Sequence, residues 1–125
     1  MRMNKDKSIL IIDDDSRNIF ALQLTLKARG YKFVSCLSAA EGLQILAKDS
    51  TIGLVLMDMM MAEIDGYQAI RMIRSSDRFS NVPVIAVTAN AMSGDREKCM
   101  EAGANGYISK PIDVDRLLNM IEKWL

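Results

Sequence analysis

Asp13-Asp14-Asp15, Asp58, Thr88 and Lys110-Pro111 carry the groups in this chain best suited to chemistry. Carboxylates brought together at one rim repel one another and destabilise a fold unless a cation neutralises them. A hard divalent ion with oxygen ligands does so, and Mg²⁺ typically uses one or two carboxylates plus water and phosphate oxygens. Lys110 adds a positive charge, Thr88 a hydroxyl, and Asp58 a carboxylate that is ionised at neutral pH. A metal, a carboxylate nucleophile, a hydroxyl and a lysine are the parts that phosphoryl transfer to aspartate requires. That chemistry needs no deprotonating base, and the chain has no histidine to supply one. The missing imidazole also excludes Ser-His-Asp and Cys-His triads, histidine zinc sites and any phosphohistidine carried by the chain itself.

These groups act together only if the fold gathers them. Short apolar, β-branched runs cover Ser8-Ile9-Leu10-Ile11-Ile12, Lys32-Phe33-Val34-Ser35-Cys36, Gly53-Leu54-Val55-Leu56-Met57, Pro83-Val84-Ile85-Ala86-Val87 and Gly106-Tyr107-Ile108-Ser109. Several are apolar at nearly every position, as strands covered on both faces should be. Segments of helical period lie between and after them, near residues 16–29, 39–48, 66–75, 91–102 and 113–124. Gly30 and Gly103 suit helix-stopping C′ positions, and Ser16 and Asp113 suit N-caps. Five successive β-then-α units predict an α/β fold, a parallel sheet wrapped by helices through right-handed crossovers. In such sheets ligands bind beyond the carboxyl ends of the strands. The first strand ends at Asp13-Asp14-Asp15, the third at Asp58, the fourth at Thr88 and the fifth at Lys110-Pro111. The second ends at Cys36-Leu37-Ser38, with nothing charged.

Composition bounds the rest. The length of 125 residues predicts a single domain over residues 1–125. Sixteen basic residues balance sixteen acidic ones, so no global field recruits nucleic acid or an anionic membrane. Cys36 and Cys99 are too far apart for a CxxC motif and read as inert, buried small hydrophobes. The apolar run at residues 9–12 is too short for a signal peptide or a spanning helix, which predicts a cytoplasmic protein without membrane insertion.

The acidic pair after the first strand, Leu56-Met57-Asp58 followed by Asp65-Gly66, Val87-Thr88-Ala89 and Ser109-Lys110-Pro111 stand in a specific order on this alternation. Over essentially its whole length the chain resembles the receiver domain of two-component response regulators. The resemblance implies a doubly wound (βα)5 sheet of flavodoxin-like order 2-1-3-4-5, the order known for the chemotaxis receiver. It implies that Asp58 is the phosphoacceptor, that Asp14 binds Mg²⁺ directly and Asp13 mainly through water, and that the Met60 backbone carbonyl completes the protein ligands. Mn²⁺ is the expected substitute. Thr88 and Lys110 would each meet a phosphoryl oxygen, and the Lys110–Pro111 peptide would be cis. Tyr107 matches the switch aromatic, which turns inward when Thr88 moves toward the phosphoryl group. That movement repacks the face of the fourth helix, fifth strand and fifth helix, where a downstream protein would bind. The implied donor is a histidine kinase or a histidine phosphotransfer protein, and the chain would catalyse its own phosphorylation and slow dephosphorylation. It would be either a single-domain response regulator or the isolated receiver of a hybrid histidine kinase. Thr88-Ala89-Asn90-Ala91-Met92 leans toward the second.

The switch also has a general physical logic. Phosphorylation adds about two negative charges and several strong acceptors, so groups free to move toward those oxygens gain. The sequence departs from the family pattern at Ala62, where proline is usual, and at Gly106, where an acid is common. The resemblance implies that Met60 and Asn90 lie at the positions that tune hydrolysis of the acyl phosphate. Because the Met60 side chain cannot orient an attacking water, a lifetime of minutes or longer is expected.

Other residues have plainer readings. Asp15 is expected to be a solvated loop or helix-start charge rather than a metal ligand. Met57, Met59, Met60 and Met61 fit flexible gap-filling better than Cu(I) binding. In the first helix Ile19, Leu22 and Leu26 form a core stripe, while Phe20 and Leu24 form a second. That second stripe is a widened core face, a pair of scattered exposed apolar residues, or a contact for a phosphodonor's helix. Val114, Leu117, Leu118 and Ile121 of the last helix read as core, and Trp124 and Leu125 as packed residues or the edge of a longer polypeptide. One rival is a small Mg²⁺-dependent aspartate-nucleophile phosphatase of the haloacid dehalogenase type, whose signature Asp13-x-Asp15 superficially fits. Phosphate would then attach to Asp13, not Asp58. An FMN-binding domain is disfavoured, since the acidic turn would repel the FMN phosphate and no Gly/Ser-rich cradle is present.

Overall fold

The structure, a computed structural model, describes residues 6–89 and 92–125. Strands β1 (Ser8–Ile12), β2 (Lys32–Cys36), β3 (Ile52–Asp58), β4 (Val84–Thr88) and β5 (Gly106–Ser109) alternate with five helices. These are α1 (Ser16–Ala28), α2 (Ala39–Lys48), α3 (Gly66–Arg74), α4 (Asp95–Ala102) and α5 (Val114–Trp124). All strand pairs are parallel and the sheet order is β2-β1-β3-β4-β5. The expected flavodoxin-like, doubly wound α/β fold is therefore present. No described helix is long and apolar enough to cross a membrane.

The apolar runs explain the layering. β1, β3 and β4 are buried at every position, whereas β2, at the sheet edge, is only partly covered. Alternate strand residues point to opposite faces. Ile9, Ile11, Leu54, Leu56, Ile85, Val87 and Ile108 pack with Ile19, Leu22 and Leu26 of α1 and with Leu117, Leu118 and Ile121 of α5. Leu10, Ile12, Val55, Met57, Val84 and Ala86 pack on the other side with residues of α2, α3 and α4. Trp124 and Leu125 lie against the α1–α5 core.

Local signals set most of the boundaries. Asp113 caps α5 by accepting from the Arg116 amide at 3.3 Å. Asp65 and Gln68 form a reciprocal capping box at the start of α3. Gly103 ends α4 at φ 117°, where a Cβ would come 2.8 Å from Arg74 Cγ. Arg74 in turn fastens α3 to its surroundings. Its guanidinium donates to the carbonyls of Gly103, Ser80 and Val82 and to Asn105 Oδ1, all at 2.7–2.9 Å.

Three expectations need correction. The cap of α1 is Asp15, not Ser16: its carboxylate accepts from the Arg17 amide at 2.9 Å, and Ser16 is already helical. The fourth helix begins at Asp95 rather than near residue 91, because Gly94 takes a left-handed conformation (φ 87°) in a turn closed by the Asp95 amide on the Met92 carbonyl. Val114 is not core. It is the first residue of α5, 44% exposed, on the wall of a groove between α1 and α5.

Candidate functional site

The carboxyl ends of β1, β3, β4 and β5 gather the residues singled out by chemistry. Asp58 closes β3 and is 4% exposed, and Asp13, just past β1, is 3% exposed. Asp14 beside it is exposed. Carboxylate oxygens of Asp13, Asp14 and Asp58 all lie within 4.8 Å of one another. Two backbone amides orient this cluster: Met60 N–H donates to Asp58 Oδ1 at 3.1 Å, and Asp15 N–H donates to Asp13 Oδ1 at 2.9 Å. The Lys110 ammonium stands 3.7 Å from an oxygen of Asp13 and 3.7 Å from one of Asp58.

Burial dominates the electrostatics of Asp13, raising its pKa to about 6. The Asp15 amide and Lys110 pull it down, while the neighbouring charge of Asp58 pushes it further up. Asp13 therefore sits in a place that disfavours an uncompensated charge. An all-oxygen donor set with this strain fits a hard cation. Asp15 belongs to a different arrangement. Its carboxylate turns to Arg17, whose hydrogen bonds hold it below the ordinary aspartate range.

Thr88 ends β4, is fully buried and pairs in register with Ser109 of β5. The Lys110 amide donates to the Thr88 carbonyl at 2.8 Å, so the lysine leaves the sheet directly beside the threonine. The Lys110–Pro111 peptide is cis. The Met60 side chain is 54% exposed. Asn90 lies outside the described residues. Beside Asp13 and Lys110, a groove of about 300 Å³ runs between α1 and α5, lined also by Asn18, Leu22, Ile112 and Val114. Phe20 and Leu24 of α1 are 62% and 56% exposed, so they form an outward stripe rather than a wider core face. A larger cavity of about 620 Å³ opens at the far ends of the strands, near Lys7, Gly53 and Pro83, and contains none of these groups. Cys36 and Cys99 are buried and free, with thiols raised to about 11 chiefly by burial, in keeping with an inert role.

One cluster escapes a reading of the strand ends. Asp95, the first residue of α4, is buried and accepts hydrogen bonds from the hydroxyls of Tyr67 on α3 and Tyr107 on β5, the latter at 2.8 Å. In sequence Asp95 looks like an ordinary first-turn acid favoured by the helix dipole.

The family model of the response regulator receiver domain matches residues 9–122. Among curated proteins, the polar-differentiation response regulator DivK of Brucella anthropi is 35% identical over 119 residues, covering 95% of this chain and 96% of that protein. Among solved structures, the receiver domain of sensor histidine kinase PA1611 from Pseudomonas aeruginosa, which has a magnesium ion in its active site cleft, superposes with a TM-score of 0.86 at 32% identity, covering 94% of this chain and 96% of its own. The receiver domain of Ssk1 from Saccharomyces cerevisiae, solved together with the histidine phosphotransfer protein Ypd1, superposes with a TM-score of 0.86. It covers 98% of this chain and 91% of its own, and at 22% identity the likeness is one of fold. None of these likenesses supports the phosphatase reading.

Proposed function

This chain belongs to the response regulator receiver family, and on that premise we propose that Asp58 accepts a phosphoryl group from a phosphohistidine of a partner protein. A carboxylate oxygen of Asp58 attacks phosphorus, the P–N bond to the partner's imidazole breaks, and the imidazole leaves with that electron pair. The observation that carries this reading is the cluster of Asp13, Asp14 and Asp58 oxygens within 4.8 Å, with the Lys110 ammonium 3.7 Å from Asp58.

Asp13, Asp14, Asp58 and the Met60 backbone carbonyl are the groups that would hold Mg²⁺, or Mn²⁺ in its place. The cation would offset the charge of the transferred phosphoryl group and of the carboxylates around it. Lys110 supplies a fixed positive charge to a phosphoryl oxygen, and the Thr88 hydroxyl donates to another. Both act by electrostatic positioning, the main contribution a protein makes to phosphoryl transfer. Met60 N–H holds Asp58 in place through its 3.1 Å bond.

The reactive imidazole belongs to the partner, a histidine kinase or a histidine phosphotransfer protein, because this chain has no histidine. The exposed Phe20 and Leu24, on the helix that lines the groove at Asp13 and Lys110, offer that partner an apolar contact beside the acceptor. The downstream reader takes the face of α4, β5 and α5. By analogy, the magnesium of the PA1611 receiver supports the cation assignment, and the phosphotransfer partner of the Ssk1 receiver supports the class of donor. The chain acts as one domain in the cytoplasm, as a single-domain regulator or as the receiver of a hybrid kinase.

Incubation with acetyl phosphate and Mg²⁺, followed by intact mass, tests the reading. One added phosphoryl group is expected in the wild type and none in Asp58→Asn. Attachment at Asp13 instead would overturn it. Phe20→Ala is expected to keep normal labelling by acetyl phosphate and to lose transfer from the protein donor; normal transfer would remove the docking role.

A further inference from the structure

Asp95 sits where a helix-starting acid would ordinarily cap its own helix, yet it does something else. The cap of α4 is Gly94, with no side-chain cap bond, and the buried Asp95 carboxylate reaches outward to two other elements. Tyr107 O–H of β5 donates to Oδ2 at 2.8 Å, and Tyr67 O–H of α3 donates to Oδ1. Burial, and then the bond to Asp95, raise the Tyr107 hydroxyl to about 12 and push that of Tyr67 higher still, so both stay protonated donors. The Lys98 ammonium lies 4.3 Å from the centre of the Tyr67 ring and helps fix that ring in place.

The register links this cluster to the phosphorylation rim. Ala86 pairs with Tyr107 and Thr88 with Ser109, so Thr88, two residues beyond Ala86, shares the sheet face of the Tyr107 ring one pleat further on. Ala86 and Tyr107 both belong to the core on the α3–α4 side. A shift of Thr88 toward Asp58 frees space ahead of the ring on that face. The ring cannot fill that space and keep its hydroxyl on Asp95.

We propose that Asp95 is the positioning residue that holds Tyr107 away from Thr88, so that settling of a phosphoryl group on Asp58 requires the Tyr107–Asp95 bond to break. Asp95 then keeps Tyr67 alone, and α4 loses one of its two side-chain ties at its first residue. This inference rests on the phosphoacceptor reading of Asp58 and on an inward turn of Tyr107. Because transfer to Asp58 draws on the arrangement in which the bond is already broken, a bond that holds that arrangement back slows labelling by the factor by which it lowers its population. One net hydrogen bond corresponds to about fivefold.

The test is the rate of phosphorylation by acetyl phosphate with saturating Mg²⁺, followed by intact mass. Asp95→Asn and Tyr107→Phe are each expected to label about fivefold faster than the wild type. The double variant Asp95→Asn/Tyr107→Phe is expected to be no faster than the faster single one, because both remove the same bond. Tyr67→Phe, which breaks a buried bond to the same carboxylate but leaves Tyr107 tied, is expected to gain nothing. Equal acceleration in Tyr67→Phe, multiplied effects in the double variant, or unchanged rates in both singles would each overturn the proposal. Tyr107→Phe keeps both the ring and the carboxylate, so it decides the matter should Asp95→Asn not fold. Wild-type labelling that does not depend on Asp58 would instead defeat the phosphoacceptor reading.

Discussion

The Lys110 ammonium lies 3.7 Å from Asp58 Oδ1. It is equally far from Asp13 Oδ2, so one cation is shared between the proposed acceptor and a proposed metal-side carboxylate. Both distances exceed a hydrogen bond, and the lysine acts as a nearby charge rather than a tight partner. Lys110→Met removes the positive charge that would compete with a bound cation and, on the proposed reading, meet the phosphoryl group. Tighter Mg²⁺ binding by calorimetry is expected, with labelling by acetyl phosphate about 100-fold slower at saturating Mg²⁺. Weaker Mg²⁺ binding would show that Lys110 organises the carboxylates instead of competing for them.

Gly66 opens α3 directly against the end of β3. A Cβ there would lie 2.6 Å from Met59 Cα and 3.0 Å from the Asp58 carbonyl oxygen, and backbone cannot swing aside as a side chain can. Gly66→Ala is expected to lose about 1–3 kcal/mol of stability in urea titration. It should also label more slowly at temperatures where it stays folded, because the displaced backbone is the one that carries Asp58. A slower rate without loss of stability would contradict the steric account.

Arg74 satisfies the Ser80 and Val82 carbonyls of the segment that follows α3 and the Gly103 carbonyl and Asn105 Oδ1 beyond α4. Arg74→Ala takes this donor from three part-buried carbonyls, while Asn105 Oδ1 keeps the Val84 amide at 2.9 Å, and is expected to cost about 3 kcal/mol or more. Arg74→Lys should recover little of this, since an ammonium cannot reproduce the planar fork. Denaturant midpoints of the two variants check both statements.

Met60 places an exposed thioether beside Asp58. A thioether cannot hold an attacking water in line, so the phosphorylated protein is expected to decay over minutes or longer with Mg²⁺ present. Met60→Gln, which adds an amide able to orient water, is expected to shorten that time. Decay within seconds in the wild type, followed by intact mass, would refute the argument.

The βα alternation was legible because burial on both faces leaves a run of apolar residues with little ambiguity, and because chemistry at a parallel sheet collects at one rim. Asp13, Asp14, Asp58, Thr88 and Lys110 could therefore be picked out together. Choices between neighbours were harder. Asp15 and Ser16 both cap well, and only the direction of the carboxylate toward the Arg17 amide selects the first. Val114 has the right type for a core residue, but its place at the start of α5 puts it on a groove wall. Asp95 and Arg74 were invisible for a common reason. Their partners lie 6 to 31 residues away, beyond the reach of a local helical or strand period.

The alternation of strand residues has a consequence for traffic around the molecule. Asp58 and Lys110 continue the series of Leu56 and Ile108, which faces α1 and α5, whereas Thr88 continues that of Ala86, which with Tyr107 faces α3 and α4. The sheet is thus a wall with a doorway only along its upper edge. Asp58 opens toward the α1–α5 side and Thr88 toward the α3–α4 side, so a group held between them at the rim would be felt on both sides of the wall.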